Sequence, residues 1–176
     1  MSLAAHQLLE RICSLFRAQL RRVSNEHGLK LVQLETLVYL ASANRYSDTP
    51  LALAEYLALT KGTVSQTLKV LEQRALIRKT PDPHDKRVQH CAVTPEGARV
   101  VEEAVRVPEA GSGALHAALT TVLRTLQHAG EARTFGVCHS CVHHQVQGSR
   151  TRCGLTGEPL RKVDRDKLCR EHEPRP

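Results

Sequence analysis

The feature that most constrains this chain is a pair of short helices joined by a tight turn and followed at once by a basic hairpin. LALAEYLAL, residues 51–59, can take its cap from Asp48 or Thr49, and Thr60 caps KGTVSQTLKVLEQRAL, residues 61–76. Two helices this close, the second rich in exposed polar groups, form the helix-turn-helix pattern. On the second helix Val64, Leu68, Leu71 and Ala75 share one face and are expected to enter the core. Gln66, Lys69 and Gln73 fall on the opposite face, with Lys61, Thr63, Ser65 and Thr67 in the first turn or on the flanks. These types suit DNA: Gln pairs with adenine edges, Thr touches base edges or a thymine methyl, and Lys neutralises phosphate.

Next, Ile77–Thr80 and Arg87–Val93 flank a turn-rich centre, Pro81–Asp85, which reads as a hairpin. Lys86 and Arg87 sit at or just after its tip, where a long cation can reach the minor groove. Asp85 beside them is expected to orient Arg87 through a charge-assisted bond. Thr94 and Pro95 start another helix, as cap and first helical residue, running to Arg106. Between Thr60 and His90 there are seven Lys or Arg against three acids, so this segment holds most of the chain's net charge of +7. Such a footprint points to nucleic acid.

Helical spacing of Leu8, Leu9, Ile12, Leu15, Phe16, Leu20 and Val23 predicts a helix over 3–23, ended by Gly28. A second covers 31–43; after a break at Pro108–Gly113, helical character resumes over 114–128. Aromatics are 3% and Trp is absent, so Leu, Val and Ala do the packing, which favours helices. The expected class is mainly α with a small β-hairpin wing. No apolar run approaches a bilayer-spanning length, and the N-terminus lacks signal-peptide features. A reducing cytoplasm is the expected compartment. Metal or redox chemistry is then a better use for six cysteines than a disulfide framework. The chain carries no phosphate loop, HExxH motif or triad pattern, which argues against an enzyme. An adaptor using this fold without DNA is the remaining alternative class.

The segment LALAEYLALTKGTVSQTLKVLEQRALIRKTPDPHDKRVQHCAVTPEGARVVEEA resembles the MarR family of bacterial regulators. The wing Asp82-Pro83-His84-Asp85-Lys86-Arg87 and the exit Val93-Thr94-Pro95-Glu96-Gly97 carry the resemblance, which extends in helix order over about residues 5–130. Ala75 stands where the family usually has Gly, and Val93 where it has Leu. The resemblance implies a winged-helix domain over 1–130, with a DNA-binding core at 49–94 and dimerisation helices at 3–25 and 109–130. It further implies a homodimer on a pseudo-palindromic double-stranded operator, usually acting as a repressor that ligands or oxidants release. The apolar stripes Leu8–Val23 and Leu115–Leu126 agree with pairing between subunits.

Composition changes after Gly130. Residues 134–176 hold four of the six cysteines and few large apolar side chains, so a core alone can scarcely order them. Cys138, Cys141, Cys153 and Cys169 follow the spacing C-x2-C-x11-C-x15-C, in which one knuckle and two single thiolates complete a tetrahedral set. One knuckle with two spread cysteines resembles, in spacing only, high-potential iron–sulfur proteins, and four thiolates suit a [4Fe–4S] cluster. Zinc is the alternative, as a purely structural staple in a regulator that answers to a small molecule; Cys169 with His172 offers it a Cys–His pair. A metal-free thiol switch is the third. His139, His143 and His144 crowd the knuckle and read as solvated residues or as donors to the thiolates. Cys13 and Cys91 read as small core residues, Cys13 with a lesser claim to oxidant sensing. A metal centre placed directly after the last long helix is expected to act by changing the spacing of the two reading helices of a dimer.

Overall fold

The computed structural model describes residues 2–106, 112–129, 134–148 and 150–175. The main-body helices are α1 (Leu3–Glu26), α2 (Leu31–Ser42), α3 (Pro50–Tyr56), α4 (Lys61–Gln73), α5 (Pro95–Ala104) and α6 (Ser112–Ala129). Strands β1 (Ile77–Pro81) and β2 (Gln89–Val93) pair antiparallel between α4 and α5, with Ile77 opposite Val93 and Pro81 opposite Gln89. This is a winged helix-turn-helix. Residues 134–175 add four short strands in two antiparallel pairs and one helical turn: β3 (Gly136–Val137), β4 (His144–Gln147), β5 (Arg150–Cys153), α7 (Lys162–Arg165) and β6 (Leu168–Cys169). Of the expected break at Pro108–Gly113, residues 107–111 lie outside the described residues, and Ser112 and Gly113 are already helical.

Capping decides where the helices begin. The hydroxyls of Thr49, Thr60 and Thr94 accept from the backbone N–H of Ala52, Thr63 and Gly97 respectively. Each satisfies one of the N–H groups a helix start leaves without a partner. Pro50 and Pro95 then occupy first-turn positions where no N–H is needed. The C-terminus of α1 is closed from a distance: Gly28 turns the chain at φ +57°, and Arg74 donates to the Gly28 and His27 carbonyls at 2.8 and 2.7 Å.

The core gathers Leu34, Leu37 and Tyr39 from α2, Leu53 from α3, Val64, Leu68 and Leu71 from α4, and Val100 from α5. Phe135, from the cysteine-rich segment, joins it. Its ring meets Tyr56 at 5.0 Å and Tyr39 at 6.3 Å between centroids, edge to face. Three of the chain's five aromatic rings therefore sit at one joint. Edge-to-face pairs add about 0.5–1.5 kcal/mol each beyond burial, so the scarce aromatics are concentrated where two parts of the chain meet.

Polar bonds complete the joint. Ala43 and Leu168 form a parallel bridge, and Asn44 N–H donates to the Leu168 carbonyl at 2.9 Å. Arg170 N–H donates to Ser47 Oγ at 2.8 Å, while its guanidinium grips both oxygens of Glu55 in α3. Arg45 donates to the Pro159 carbonyl at 2.9 Å and pairs with Glu158. The loop between α2 and α3 is thus a docking edge for the cysteine-rich segment.

Two positions expected in the core or in a conserved turn behave differently. Ala75 is exposed and lies beyond the end of α4 at φ +56°, not on its buried face. A left-handed turn is needed there to swing the chain from α4 into β1, and Ala carries its Cβ at a steric cost that Gly avoids. Gly97 is required for space: a Cβ would lie 2.2 Å from the Leu76 carbonyl oxygen, against which α5 starts. Ala75→Gly should therefore stabilise the fold by about 1 kcal/mol, and Gly97→Ala should destabilise it by about 1–3 kcal/mol. Urea unfolding of the two variants checks both signs.

Candidate nucleic-acid interface and four-cysteine site

Two surfaces carry chemistry. On the first, Lys61, Thr63, Ser65, Gln66, Lys69 and Gln73 are all exposed on α4. Lys61 and Ser65 line a groove of about 540 Å³ whose other wall holds Arg87 of the wing, Lys79 and Gln89. The first turn of the reading helix and the wing cation therefore face one concavity. Thr67 does not belong to that surface. It is 5% exposed and packs inward beside Val64, Leu68 and Leu71. Its methyl and short side chain let it occupy the edge of the buried stripe, which spacing alone assigned to the flank. Gln73 sits at the far end of α4, away from the groove-lining residues. Gln89 was not anticipated, since its strand alternation gives no sign of a groove.

The wing tip is built by two carboxylates. Asp82 Oδ1 accepts from the backbone N–H of His84 and Asp85 at 2.7 and 2.8 Å, which folds the Asp-Pro-His-Asp turn. Asp85 then accepts from Arg87 Nε and Nη2, both at 2.9 Å, as expected from the sequence. The Arg87 side chain is 91% exposed, so the pair fixes its direction while leaving its outer face in solvent. Lys86 is exposed beside it.

Behind the tip, His90 bridges two elements. Its Nδ1 lies 2.5 Å from Asp48 Oδ1 in the α2–α3 loop, and its Nε2 lies 3.0 Å from Asp82 Oδ2. Both nitrogens must donate to serve both carboxylates, so the imidazolium form is the one that fits. Burial alone lowers the His90 pKa, but the bonds to Asp48 and Asp82 outweigh it and hold the pKa above 6.5. Asp82 is pulled down to about 2, first by the Asp85 N–H and then by His90. Asp48 is raised by burial, against the pull of His90.

The second surface gathers the tail cysteines. Cys141 N–H donates to the Cys138 carbonyl at 3.0 Å, closing the knuckle. Pairing of β3 with β6 sets Gly136 opposite Cys169, and pairing of β4 with β5 sets His144 opposite Cys153. Gly136 is obligatory because a Cβ would fall 2.6 Å from the His172 ring. Cys138, Cys141, Cys153 and Cys169 all line one small cavity of about 30 Å³, closed by Tyr46, Leu155 and Leu160 among others. All six cysteines of the chain are free thiols. Burial pushes the Cys138 thiol up to about 12, and the other three cysteines push it further in the same direction. Four thiolates could not share this cavity without a cation to offset them.

Among the described residues, no group of three or more His, Cys, Asp or Glu side chains is arranged to hold a single metal ion. His143 and His144 border the cavity; His143 Nε2 lies 3.2 Å from Glu173 Oε1, while the buried His144 Nε2 makes no hydrogen bond. His139 is turned towards Asp166, at 3.6 Å, and does not border it. His172 does not border it either; its Nε2 is 3.0 Å from Ser140 Oγ, so it makes no Cys–His pair with Cys169 there. Cys91 is 1% exposed in the main core, with its thiol raised to about 11 by burial, which removes it as a reactive thiol. Cys13 lies half-buried on α1. Asn44, Tyr46 and Ser47 were not anticipated at this site, because they come from a loop more than ninety residues away in the sequence.

The model of the MarR family matches residues 27–88. The transcriptional regulator HosA of Escherichia coli O111:H- is 29% identical over 96 residues, covering 51% of this chain and 71% of that protein. Among solved structures, a MepR variant from a multidrug-resistant S. aureus clinical isolate superposes with a TM-score of 0.61 at 24% identity, over 72% of this chain and 100% of that one. A second MepR variant, bound to an oligodeoxyribonucleotide, gives 0.50 at 24% over the same shares. A transcriptional regulator of Thermotoga maritima gives 0.53 at 21% identity, over 73% and 94%. The fold is that of the MarR-type winged-helix regulators. The family model ends at residue 88, before the four-cysteine segment. No helix among the described residues is long and apolar enough to cross a membrane.

The His90 bridge has a defined pH signature. Its folded-state pKa is raised, so its stabilisation is fully present below its unfolded value of 6.5 and is lost as pH rises through the folded value. Between about pH 6 and about pH 8.5 the wild-type chain should lose more thermal stability than His90→Gln, as read by melting curves at the two values.

Proposed function

We propose that the chain is a homodimeric transcriptional repressor that binds a pseudo-palindromic double-stranded operator and is controlled by a metal centre on Cys138, Cys141, Cys153 and Cys169. The observation that carries DNA binding is the shared groove: Lys61 and Ser65 of α4 stand across from Arg87 of the wing. The reading helix enters the major groove by its first turn, with Thr63, Gln66 and Lys69 on the exposed face, while Arg87, aimed by Asp85, follows the adjacent minor groove and Lys86 the phosphates. MepR, seen with an oligodeoxyribonucleotide, offers the precedent for this fold.

Dimerisation is supported by apolar surface that one subunit leaves uncovered. Leu8, Leu15 and Phe16 on α1 and Leu115, Leu119, Leu123 and Leu126 on α6 are each roughly half exposed or more. Stripes of this kind at helical spacing are covered most economically by a second copy, which also gives the operator its two-fold symmetry.

For the metal centre, a [4Fe–4S] cluster is the reading taken from the cysteine spacing, with zinc as the alternative. A single zinc needs its sulfurs within about 2.3 Å of one point. The four cysteines border one cavity. A cluster takes one thiolate at each of its four irons, the ligand count these cysteines supply. It would supply an oxidisable centre whose loss changes the order of the whole segment.

Gel shift with a duplex from upstream of the chain's own gene, titrated with salt, tests the first claim. Binding should weaken steeply with salt, and Lys61→Ala or Lys86→Ala should each reduce the log–log slope by about 0.9. Binding that is indifferent to salt and to both substitutions would sink the DNA reading in favour of an adaptor. Protein purified without oxygen should be brown with a broad visible band, lost in the variant carrying Cys138→Ser and Cys141→Ser. A colourless protein with one zinc per chain would replace the cluster by a staple.

A further inference from the structure

His90 is held between two carboxylates that belong to different parts of the fold. Its Nδ1 lies 2.5 Å from Asp48 Oδ1 in the α2–α3 loop, and its Nε2 lies 3.0 Å from Asp82 Oδ2 where the wing turn begins. Only the imidazolium can donate at both ends. Asp82 uses its two oxygens differently: Oδ1 accepts from the N–H of His84 and Asp85 and folds the turn, while Oδ2 anchors the folded turn on His90. The carboxylate that shapes the tip is therefore fastened to the loop through one ring. The three side chains are only 21–25% exposed, so water screens these contacts less than it does at an open surface.

The charges packed about this bridge come from several elements. Lys79 of β1, in register with Cys91, is held by Glu72 of α4. Glu55 of α3 is gripped by Arg170, and Glu96 and Arg99 at the start of α5 pair with each other. Arg45 and Arg161, which border the same cavity as Asp48, are engaged by Glu158 and Asp164. Lys167, after α7, acts on Asp48 and favours its ionised form. At the tip, Asp85 is taken by Arg87, while Lys86 and His84 are exposed. Among the described residues of the wing and its supports, His90 and His84 are thus the groups whose type changes charge between about pH 6 and 8. Cys91 does not, since burial raises its thiol to about 11.

When the ring loses its proton, one nitrogen becomes an acceptor and its lone pair faces a carboxylate oxygen, so one of the two contacts must open. Opening at Asp48 frees the hairpin from the loop, and opening at Asp82 frees the tip from the strand behind it. Either way Lys86 and Arg87 lose a fixed position. The strands stay attached, because Cys91 N–H still donates to the Asp48 carbonyl and Lys79 still pairs with Glu72. We propose that His90 is a pH-sensitive latch between the α2–α3 loop and the wing, closed as imidazolium and open as imidazole, so that operator affinity falls as pH rises. This rests on the reading that α4 and the wing bind DNA. Phosphates near the tip favour the charged ring further, so binding takes up a proton at His90. The sign is consistent with the surroundings: burial disfavours the charged ring, but the two carboxylates outweigh it and hold the pKa above 6.5. The latch is therefore closed below that value and opens as pH rises through the folded one.

The test uses the full chain at constant ionic strength, with two readouts: affinity for the upstream duplex at about pH 6 and about pH 8.5, and the His90 ring titration followed by NMR with and without that duplex. In the wild type the ring should titrate above 6.5, and higher still with duplex bound. Each unit of that difference appears as about tenfold in affinity, so binding should be about tenfold weaker at the higher pH. His90→Gln, which has one donor and one acceptor at every pH, should bind at the lower pH as the wild type does at the higher, with a pH ratio of about twofold or less. Asp48→Asn removes the loop's charge and should shrink the ratio in the same direction, and it decides the matter if His90→Gln does not fold. His84→Gln should keep the wild-type ratio. If the ratio survives in His90→Gln and Asp48→Asn, or is lost in His84→Gln, the exposed tip histidine is the source and the latch is overturned. Salt-dependent binding with no pH ratio in the wild type overturns the latch alone and leaves the DNA reading standing. Absence of duplex binding at both pH values removes the DNA reading and the latch with it.

Discussion

The hydrogen bonds between the α2–α3 loop and β6 are the interaction on which the rest depends. Asn44 and Ser47 bracket Cys169 by way of its two neighbours, and Phe135 closes the same joint on Tyr39 and Tyr56. Without that joint the last forty-odd residues have little core of their own: among the described ones, the buried apolar residues are Phe135, Cys138, Cys141 and Leu160, and the first of these belongs to the main core. The segment is ordered by docking and by the convergence of its thiols. The docking edge is also the loop that feeds the helix-turn-helix, so the chain cannot order one without bearing on the other.

Much of the main body was legible because it is written locally. Thr49, Thr60 and Thr94 each act as the cap that a hydroxyl before an apolar period announces. The wing turn follows from Asp82 and Asp85, whose short carboxylates bond to N–H groups two and three residues on. The exceptions have physical reasons. Thr67 was assigned to the DNA-facing set because it is polar, yet its position in the helical period borders Val64 and Leu68, and the period won. Ala75 was assigned to the core by extending the same period one turn too far. The helix stops at Gln73 because the chain must turn left-handed into β1, and Arg74 is held by the end of α1.

The second surface was legible only in part. The spacing of the four cysteines announced a common site, and the strand pairings bring all four to one cavity. What the spacing could not announce is the wall supplied by Asn44, Tyr46 and Ser47. Polar residues before Pro50 read as a solvated loop, and only tertiary docking makes them buried. The same is true of Arg170, which would be counted as surface charge and is in fact spent on Glu55 and Glu171. Arg74 and Lys79 are likewise engaged, by the α1 carbonyls and by Glu72. The cationic excess over the wing and α4 is thus smaller in effect than in formal count, and the exposed positive charge of this face is concentrated at Lys61, Lys69, Lys86 and the aimed Arg87.

That concentration changes how a distant site can control binding. A signal carried by the long helices must alter the separation of two reading heads in a dimer, and it acts on every phosphate contact alike. A change in the loop Ala43–Asp48 reaches the wing first, because Asp48 is bonded there to His90 and to Cys91 N–H. Arg87 contributes little when misdirected, since an exposed cation held by no partner samples many rotamers and loses them on binding. On the proposed DNA-binding reading, loss of its aim weakens a minor-groove contact while leaving those of Lys61 and Lys69 on α4 in place. The two routes differ in what they predict at the operator: the helix route changes preference for half-site spacing, whereas the loop route changes affinity at fixed spacing. The bonds that join Leu168 and Arg170 to the loop, and the loop to His90, are the contacts through which the second would run.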